Sequence, residues 1–213
     1  MTNPAALRTE HWLNARIVTD PGELAQIFRL RHRVYCEERG FFDASSYPDA
    51  QEIDEYDRRS VHFAAFDQGG EIAGSVRLVC QAAEGDQLPY QQHCQLFEGA
   101  HHPVRGRAGE VSRLVLNRGH RIPPGGGKTG TVIMMVYREM YRYSLQHGIS
   151  NWYAAMERSL VRMMGRIGVE YERMGPEVDY YGPVAPYLLQ LPALQQRLAQ
   201  ANPSLLRYLN SAV

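Results

Sequence analysis

The chain has a single lysine, three cysteines and two tryptophans among its 213 residues, and no excess of either charge. Each shortage excludes something. With 23 basic and 23 acidic residues, no global field draws the protein to nucleic acid, and any basic patch must be local. Cys36, Cys80 and Cys94 are odd in number and irregular in spacing, so no disulfide framework is indicated. A reducing cytoplasm is the expected compartment. The stretch MTNPAALRTEHWLNAR lacks the apolar core of a secretory signal. No apolar run reaches the roughly 20 residues that span a bilayer, so no membrane span is expected. His93, Cys94, His101 and His102 match no established ligand spacing, so no metal is expected. With Lys128 the only lysine, arginine carries the cationic chemistry, and its planar fork suits carboxylates and phosphates.

What is present reads as one mixed α/β domain over residues 1–213. ARIVTD (15–20) reads as a strand, followed by a helix capped by Asp20 and ending near Gly40. Residues 60–81 read as a hairpin around Gln68-Gly69-Gly70. EVSRLVLN (110–117) is a strand, 131–148 a largely buried helix with Arg138, Glu139, Arg142 and Gln146 on its polar stripe, 151–157 a strand and 158–168 a helix. VEYERMGPEVDYYG (169–182) reads as strand and turn. Residues 183–213, with prolines at 183, 186, 192 and 203, read as a short helical extension.

The sharpest signal is charge on apolar faces. Leu24, Ile27, Phe28, Val34 and Tyr35 share one helical stripe, and Arg31 falls in its middle, while Arg29 and Arg33 fall on the opposite face. A buried guanidinium needs carboxylate partners. EIDEYD supplies Glu52, Asp54, Glu55 and Asp57 within six residues. In an extended stretch Glu52 and Asp54 point the same way. Arg77 sits inside the apolar strand AGSVRLV, and Arg113 inside EVSRLVL, which Glu110 opens. These residues predict one internal ion-pair network, of the kind that is either structural or sets pKa values at an active site. His62 reads as a satisfied strand residue, and Cys36 and Cys80 as small hydrophobes.

The set RLRHRVYCEERGFF … EIDEYDRRSVHFAAF … AGSVRLV … EVSRLVL resembles the acyl-homoserine-lactone (autoinducer) synthases and the N-acyl amino acid synthases. With YREMYRYSLQHGISNWYAAME and GPEVDYYGPVAPYL, the chain also resembles acyltransferases associated with PEP-CTERM/exosortase systems. The resemblance implies a GNAT-like fold, an αβα sandwich around a mixed, mostly antiparallel sheet. It places Arg31, Glu52, Asp54, Asp57, Arg77, Glu110, Ser112 and Arg113 on the families' signature positions. Phe41 falls where the autoinducer synthases carry a tryptophan, and with Tyr35 is expected to line the acyl or acceptor pocket. Tyr181 either lines it too or packs a turn.

The loop RIPPGGGKTG ends like a P-loop, but Ile122 stands where the pattern needs its first glycine, and Pro123 and Pro124 remove two amide donors. The resemblance suggests that Arg121, Gly125, Gly126, Gly127, Lys128 and Gly130, directly before a helix, cradle the phosphates of a phosphopantetheine donor. A plain surface loop fits the same residues. Arg105, Arg107, Arg118, Arg121 and Lys128 offer charge complementary to an acidic acyl carrier protein.

The implied reaction moves a fatty acyl group from an acyl carrier protein or coenzyme A thioester to the amine of an amino acid or related small molecule. Glu110 is the first candidate for the general base and Glu52 the second. No G-x-S-x-G elbow marks Ser112 as a nucleophile. A lactone-forming autoinducer synthase and a non-catalytic acyl-binding module of the same fold are the alternatives.

Overall fold

The computed structural model describes residues 13–81, 86–100, 107–118 and 129–211. It contains a mixed α/β arrangement with an open eight-stranded sheet, in the order β1-β2-β3-β4-β5-β8-β6 with β7 paired to β8. The strands are β1 (Leu13–Val18), β2 (Ser60–Asp67), β3 (Ile72–Cys80), β4 (Arg107–Leu116), β5 (Ile149–Met156), β6 (Glu172–Arg173), β7 (Val178–Asp179) and β8 (Pro183–Gln190). Five α-helices are present among the described residues: α1 (Pro21–His32), α2 (Thr129–Gln146), α3 (Arg158–Arg166), α4 (Leu191–Ala201) and α5 (Pro203–Asn210). The sheet is mostly antiparallel. Its parallel pair, β4 with β5, is joined through α2, the kind of crossover a parallel connection requires. The chain divides into two compact units, Met1–Arg77 with Arg113–Met140, and Leu78–Ser112 with Tyr141–Val213.

In the first unit β1 pairs antiparallel with β2, from Leu13 opposite Asp67 to Val18 opposite His62. Asp20 caps α1 by accepting the Glu23 amide at 3.0 Å, and Pro21 occupies a first-turn position where its missing N–H costs nothing. The Asp67 carboxylate accepts the amides of Gly69 and Glu71 at 2.8 and 2.9 Å, and Gly70, at φ 83°, closes the β2–β3 turn. The core here gathers Val18, Ile27, Leu30, Ala64, Phe66, Ile72 and Val115. Past His32 the helix widens into a π-turn over Arg33–Glu38 and stops at Gly40, at φ 64°. Such π-segments cost hydrogen-bond quality and recur at functional sites.

In the second unit β5 pairs antiparallel with β8, from Asn151 opposite Gln190 to Met156 opposite Ala185. Trp152, 1% exposed, gives its indole N–H to the Ser144 hydroxyl at 2.9 Å. Gln195 on α4 donates to the Tyr141 hydroxyl at 2.8 Å.

Two expectations change. Residues 183–190, expected as helix, form β8: Ala185 to Leu189 are buried without interruption, which suits a strand covered on both faces better than a surface helix. Arg138, expected on a polar stripe, is buried and paired with Glu139 at 3.2 Å.

Candidate functional site

The first unit holds a lattice of three guanidinium groups and three carboxylates. Arg31, Arg77 and Glu52 are 0–1% exposed, and none of them is tolerable there alone. Helical spacing turns Arg31 inward from α1; strand alternation does the same for Arg77 on β3. The loop from 50 to 57 brings the acids. Its path is fixed by the Glu52 amide, which donates to the Phe28 carbonyl at 3.1 Å, and by a capping box in which Asp54 and Asp57 satisfy each other's turn amides.

The contacts close a chain. Arg31 Nε donates to Glu52 Oε2 at 2.5 Å, and its two terminal nitrogens fork onto Asp57 at 2.7 and 3.1 Å. Arg77 Nη1 bridges Asp54 Oδ1 at 2.5 Å and Asp57 Oδ1 at 2.9 Å. Arg113 Nη2 bridges Glu52 Oε1 at 2.9 Å and Asp54 Oδ2 at 3.0 Å. Charges therefore balance three against three. Burial alone would push the Glu52 and Asp57 carboxyls up, but the facing guanidinium groups outweigh it and hold both below the ordinary carboxylate range. The same acids raise Arg31 and Arg113 against their own desolvation.

His62 joins this lattice, which sequence reasoning did not anticipate. Its Nε2 lies 3.6 Å from Asp57 Oδ1, and its ring meets Phe28 edge-on at 5.5 Å. Burial, with Arg31 and Arg77 nearby, lowers its pKa to about 4. The imidazole is therefore neutral at pH 7. The available signal was a polar side chain inside the apolar strand VHFAAF, the same signal that marked Arg77.

Aromatic rings cover the Arg113 end. Its guanidinium lies 5.1 Å from the Phe42 ring centroid and 5.7 Å from that of Tyr35. Phe41 stacks on Tyr35 at 6.2 Å, and the Tyr35 hydroxyl donates to the Leu114 carbonyl at 3.2 Å. Phe41 and Tyr35 thus stand together beside the lattice. Arg113 and Asp54 are its more open members, with side chains 18% and 23% exposed. A rigid, charge-neutral scaffold that presents one guanidinium and one carboxylate toward solvent is suited to holding a polar small molecule.

Several of the other sequence-predicted residues belong to the second unit. Glu110 belongs to the second unit, is 3% exposed, and accepts the Tyr90 amide at 2.7 Å. Tyr90 stacks on Tyr153 with centroids 5.0 Å apart, and burial raises both phenols. Ser112 is half-buried in the same unit. Tyr181, also there, is 45% exposed with φ 54° and packs on Tyr180, which stacks on His93 at 3.8 Å. Arg105, Arg121, Gly125, Gly126, Gly127 and Lys128 lie outside the described residues, as do His101 and His102; Gly130 is in the first turn of α2. Arg107 and Arg118 are exposed. Cys36, Cys80 and Cys94 form no disulfide among the described residues, and burial pushes the Cys94 thiol up to about 11, which disfavours a thiolate nucleophile. Among the described residues no helix is long and apolar enough to cross a membrane.

The lattice falls within a recognisable stretch of sequence. Residues 30–125 match the acetyltransferase (GNAT) domain family. An acyl-homoserine-lactone synthase from Aeromonas salmonicida is 25% identical over 150 residues, covering 70% of each chain. The crystal structure of the AHL synthase LasI superposes with a TM-score of 0.65 at 22% identity, over 84% of this chain and 90% of that one. FeeM, an N-acyl amino acid synthase from uncultured soil microbes, gives 0.58 at 17% identity, over 88% and 96%. The chain therefore has a GNAT-like fold, related in sequence to acyl-homoserine-lactone synthases and shared with an N-acyl amino acid synthase.

Proposed function

We propose that residues 1–213 act as one N-acyltransferase domain, which moves a fatty acyl group from an acyl carrier protein or coenzyme A thioester to the amine of an amino acid or related small molecule. The observation that carries this reading is the six-membered lattice of Arg31, Glu52, Asp54, Asp57, Arg77 and Arg113, inside the segment that matches the GNAT family.

In this reading Asp54 and Arg113 face the acceptor, the carboxylate toward its ammonium group and the guanidinium toward its carboxylate. Arg31, Arg77 and Glu52 hold those two side chains in place. Glu52 is a poor proton acceptor, because both its oxygens are bound by guanidinium groups. Glu110 is the candidate base: it opens the β4 segment EVSRLVL, and the Tyr90 amide, donating to Oε2 at 2.7 Å, orients its carboxylate. Glu110 takes a proton from the amine, the amine nitrogen attacks the thioester carbonyl, and the C–S bond breaks as the thiol leaves with a proton. Backbone amides of β4 are the candidates for holding the oxyanion. The glycine-rich segment 121–130 and its basic neighbours are assigned to the phosphopantetheine arm and its carrier. The association with exosortase systems belongs to the same proposal.

A second reading is favoured by the curated relatives, which are acyl-homoserine-lactone synthases. There the acylated acceptor's carboxylate oxygen would attack its own γ-carbon to form the lactone C–O bond, and a thioether leaving group, as S-adenosylmethionine would supply, would depart as the C–S bond breaks. Mass spectrometry of lipid extracts from cells expressing the protein separates the two. A new N-acyl amino acid, absent with Glu110→Gln, supports the first reading, and a new acyl-lactone supports the second. Glu110→Gln keeps an oxygen for the Tyr90 amide, so loss of product with an unchanged Tm assigns Glu110 to chemistry. No product with either purified acyl carrier or coenzyme A donors leaves a binding module.

A further inference from the structure

A cavity of about 530 Å3 opens beside α1, within the first unit, and none of the six lattice residues lines it. That volume lies in the range of small-molecule sites, roughly 300–1,000 Å3. Arg29 and Arg33 line it from positions four apart, hence on one helical face. Arg33 is fixed: its Nη2 donates to Asn117 Oδ1 at 2.8 Å, and Asn117 Nδ2 donates in turn to the Ile72 carbonyl at 2.9 Å. Arg29 makes no ion pair among the described residues. Glu37 and Glu71 complete the charged lining, two acids against two arginines, and the buried Leu30 and Ile72 supply apolar wall.

One wall residue is not at rest. His32 is 6% exposed, its Nδ1 lies 3.2 Å from Glu37 Oε1, and its buried Nε2 has no hydrogen-bond partner among the described residues. A buried ring nitrogen without a partner is costly, and natural structures keep few of them. Ala50, also on the wall, holds a left-handed backbone at φ 51°, a conformation retained where surrounding structure imposes it.

We propose that this cavity is a binding site for a small zwitterion, an α-amino acid or a close analogue, separate from the lattice. Arg29 and Arg33 take the carboxylate and Glu37 and Glu71 the ammonium group, beside the His32 ring, whose Nδ1 lies 3.2 Å from Glu37 Oε1 and so senses the ligand through that carboxylate. The balanced lining favours a ligand with both charges over a simple anion, which Glu37 and Glu71 would repel. The proposal does not depend on the acyl-transfer reading.

The test is a titration of the full chain with each of the twenty amino acids, with acetate and methylamine as single-charge probes. It is followed through the His32 ring resonances by NMR. The expected result is one or a few amino acids that shift those resonances and saturate. Binding should weaken at least about tenfold, some 1.4 kcal/mol, in Arg29→Ala/Arg33→Gln. Both substituted residues are exposed, and circular dichroism checks that the variant is folded. The proposal is overturned if no amino acid moves the His32 signals, if the single-charge probes bind as well as the amino acids, or if the double variant binds like the wild type.

Discussion

Arg113 reaches Glu52 from a left-handed backbone: its φ is 53°, and its Nη2 lies 2.9 Å from Glu52 Oε1. A bulky residue at that φ costs on the order of 1–3 kcal/mol and persists only where its surroundings impose it. Here the imposition is visible, since Nε and Nη2 of one guanidinium span Glu52 and Asp54. Arg113→Lys keeps the charge and the strained backbone but loses the fork. It should lower Tm by a few degrees, about 1–2 kcal/mol. If the proposed role in acceptor recognition is right, it should also lower kcat/KM at least about tenfold. Wild-type kcat/KM in Arg113→Lys would show that the fork serves only the fold.

Glu52 and Arg31 are each 0% exposed, so neither can fall back on water. Glu52→Ala should destabilise the chain by about 3–5 kcal/mol in urea unfolding, because it removes the acceptor of Arg31 Nε and leaves the buried lattice with one positive charge in excess. The Arg16–Glu23 pair is the control. It is as short, at 2.6 Å, but its side chains are 40% and 27% exposed. Glu23→Gln should cost less than about 1 kcal/mol. Equal losses at the two sites would mean that the lattice is solvated in the native ensemble.

The lattice also sets the acid limit of the fold. His62 has its pKa lowered to about 4, with burial the main cause, against an ordinary value near 6.5. Between those values the unfolded chain binds a proton that the native chain does not, so stability falls as pH drops from about 6.5 to 4. His93, lowered by burial too, acts in the same direction. The carboxyls of Glu52 and Asp57 are depressed in the fold. Their contribution is complete above the ordinary carboxylate range and is lost only as pH falls through it and below. The two effects therefore occupy different windows. His62→Gln should flatten the stability profile between pH 6.5 and 4, recovering ~2–3 kcal/mol of the loss, and leave the decline below pH 4 in place. Denaturant midpoints measured at half-unit pH steps check this, and an unchanged slope would place the His62 ring in water.

The six lattice residues were legible because charge on an apolar face has few explanations. Arg31 interrupts a helical stripe, Arg77 and Arg113 interrupt strands, and the nearby acids outnumber what a turn needs. The expectation that Glu52 and Asp54 point the same way also holds, since both bind Arg113. Other features leave no trace in spacing. The π-turn at 33–38 carries the same apolar residues a regular helix would, so periodicity does not separate them. His62 pairs with an acid five residues earlier in sequence, across a turn that nothing in VHFAAF announces. The strand at 183–190 is masked by Pro183 and Pro186, whose φ is compatible with a strand as well as with a turn. The cavity beside His32 arises where α1, Ala50, the start of β3 and Asn117 meet, a tertiary fact with no local signature.

Two glycines with opposite surroundings give the last prediction. At Gly175 an added Cβ would overlap the Gln95 carbonyl oxygen and come within 2.8 Å of Pro186 Cγ. Neither neighbour can yield: Phe97 donates its amide to the Met174 carbonyl, Met174 donates to the Pro186 carbonyl, both at 2.8 Å, and Arg173 Nε donates to the Gly175 carbonyl at 2.8 Å. Gly175→Ala must therefore move backbone rather than a side-chain tip, and should cost about 3 kcal/mol or more. Gly165, inside α3, has nothing within 4 Å of the same added carbon and no positive φ. Gly165→Ala should stabilise by about 0.5–1 kcal/mol, through helix propensity alone. Thermal unfolding of the two single variants beside the wild type reads both signs at once. A Gly175→Ala variant as stable as the wild type would mean that the 95–97 segment does not pack on 173–175 in solution.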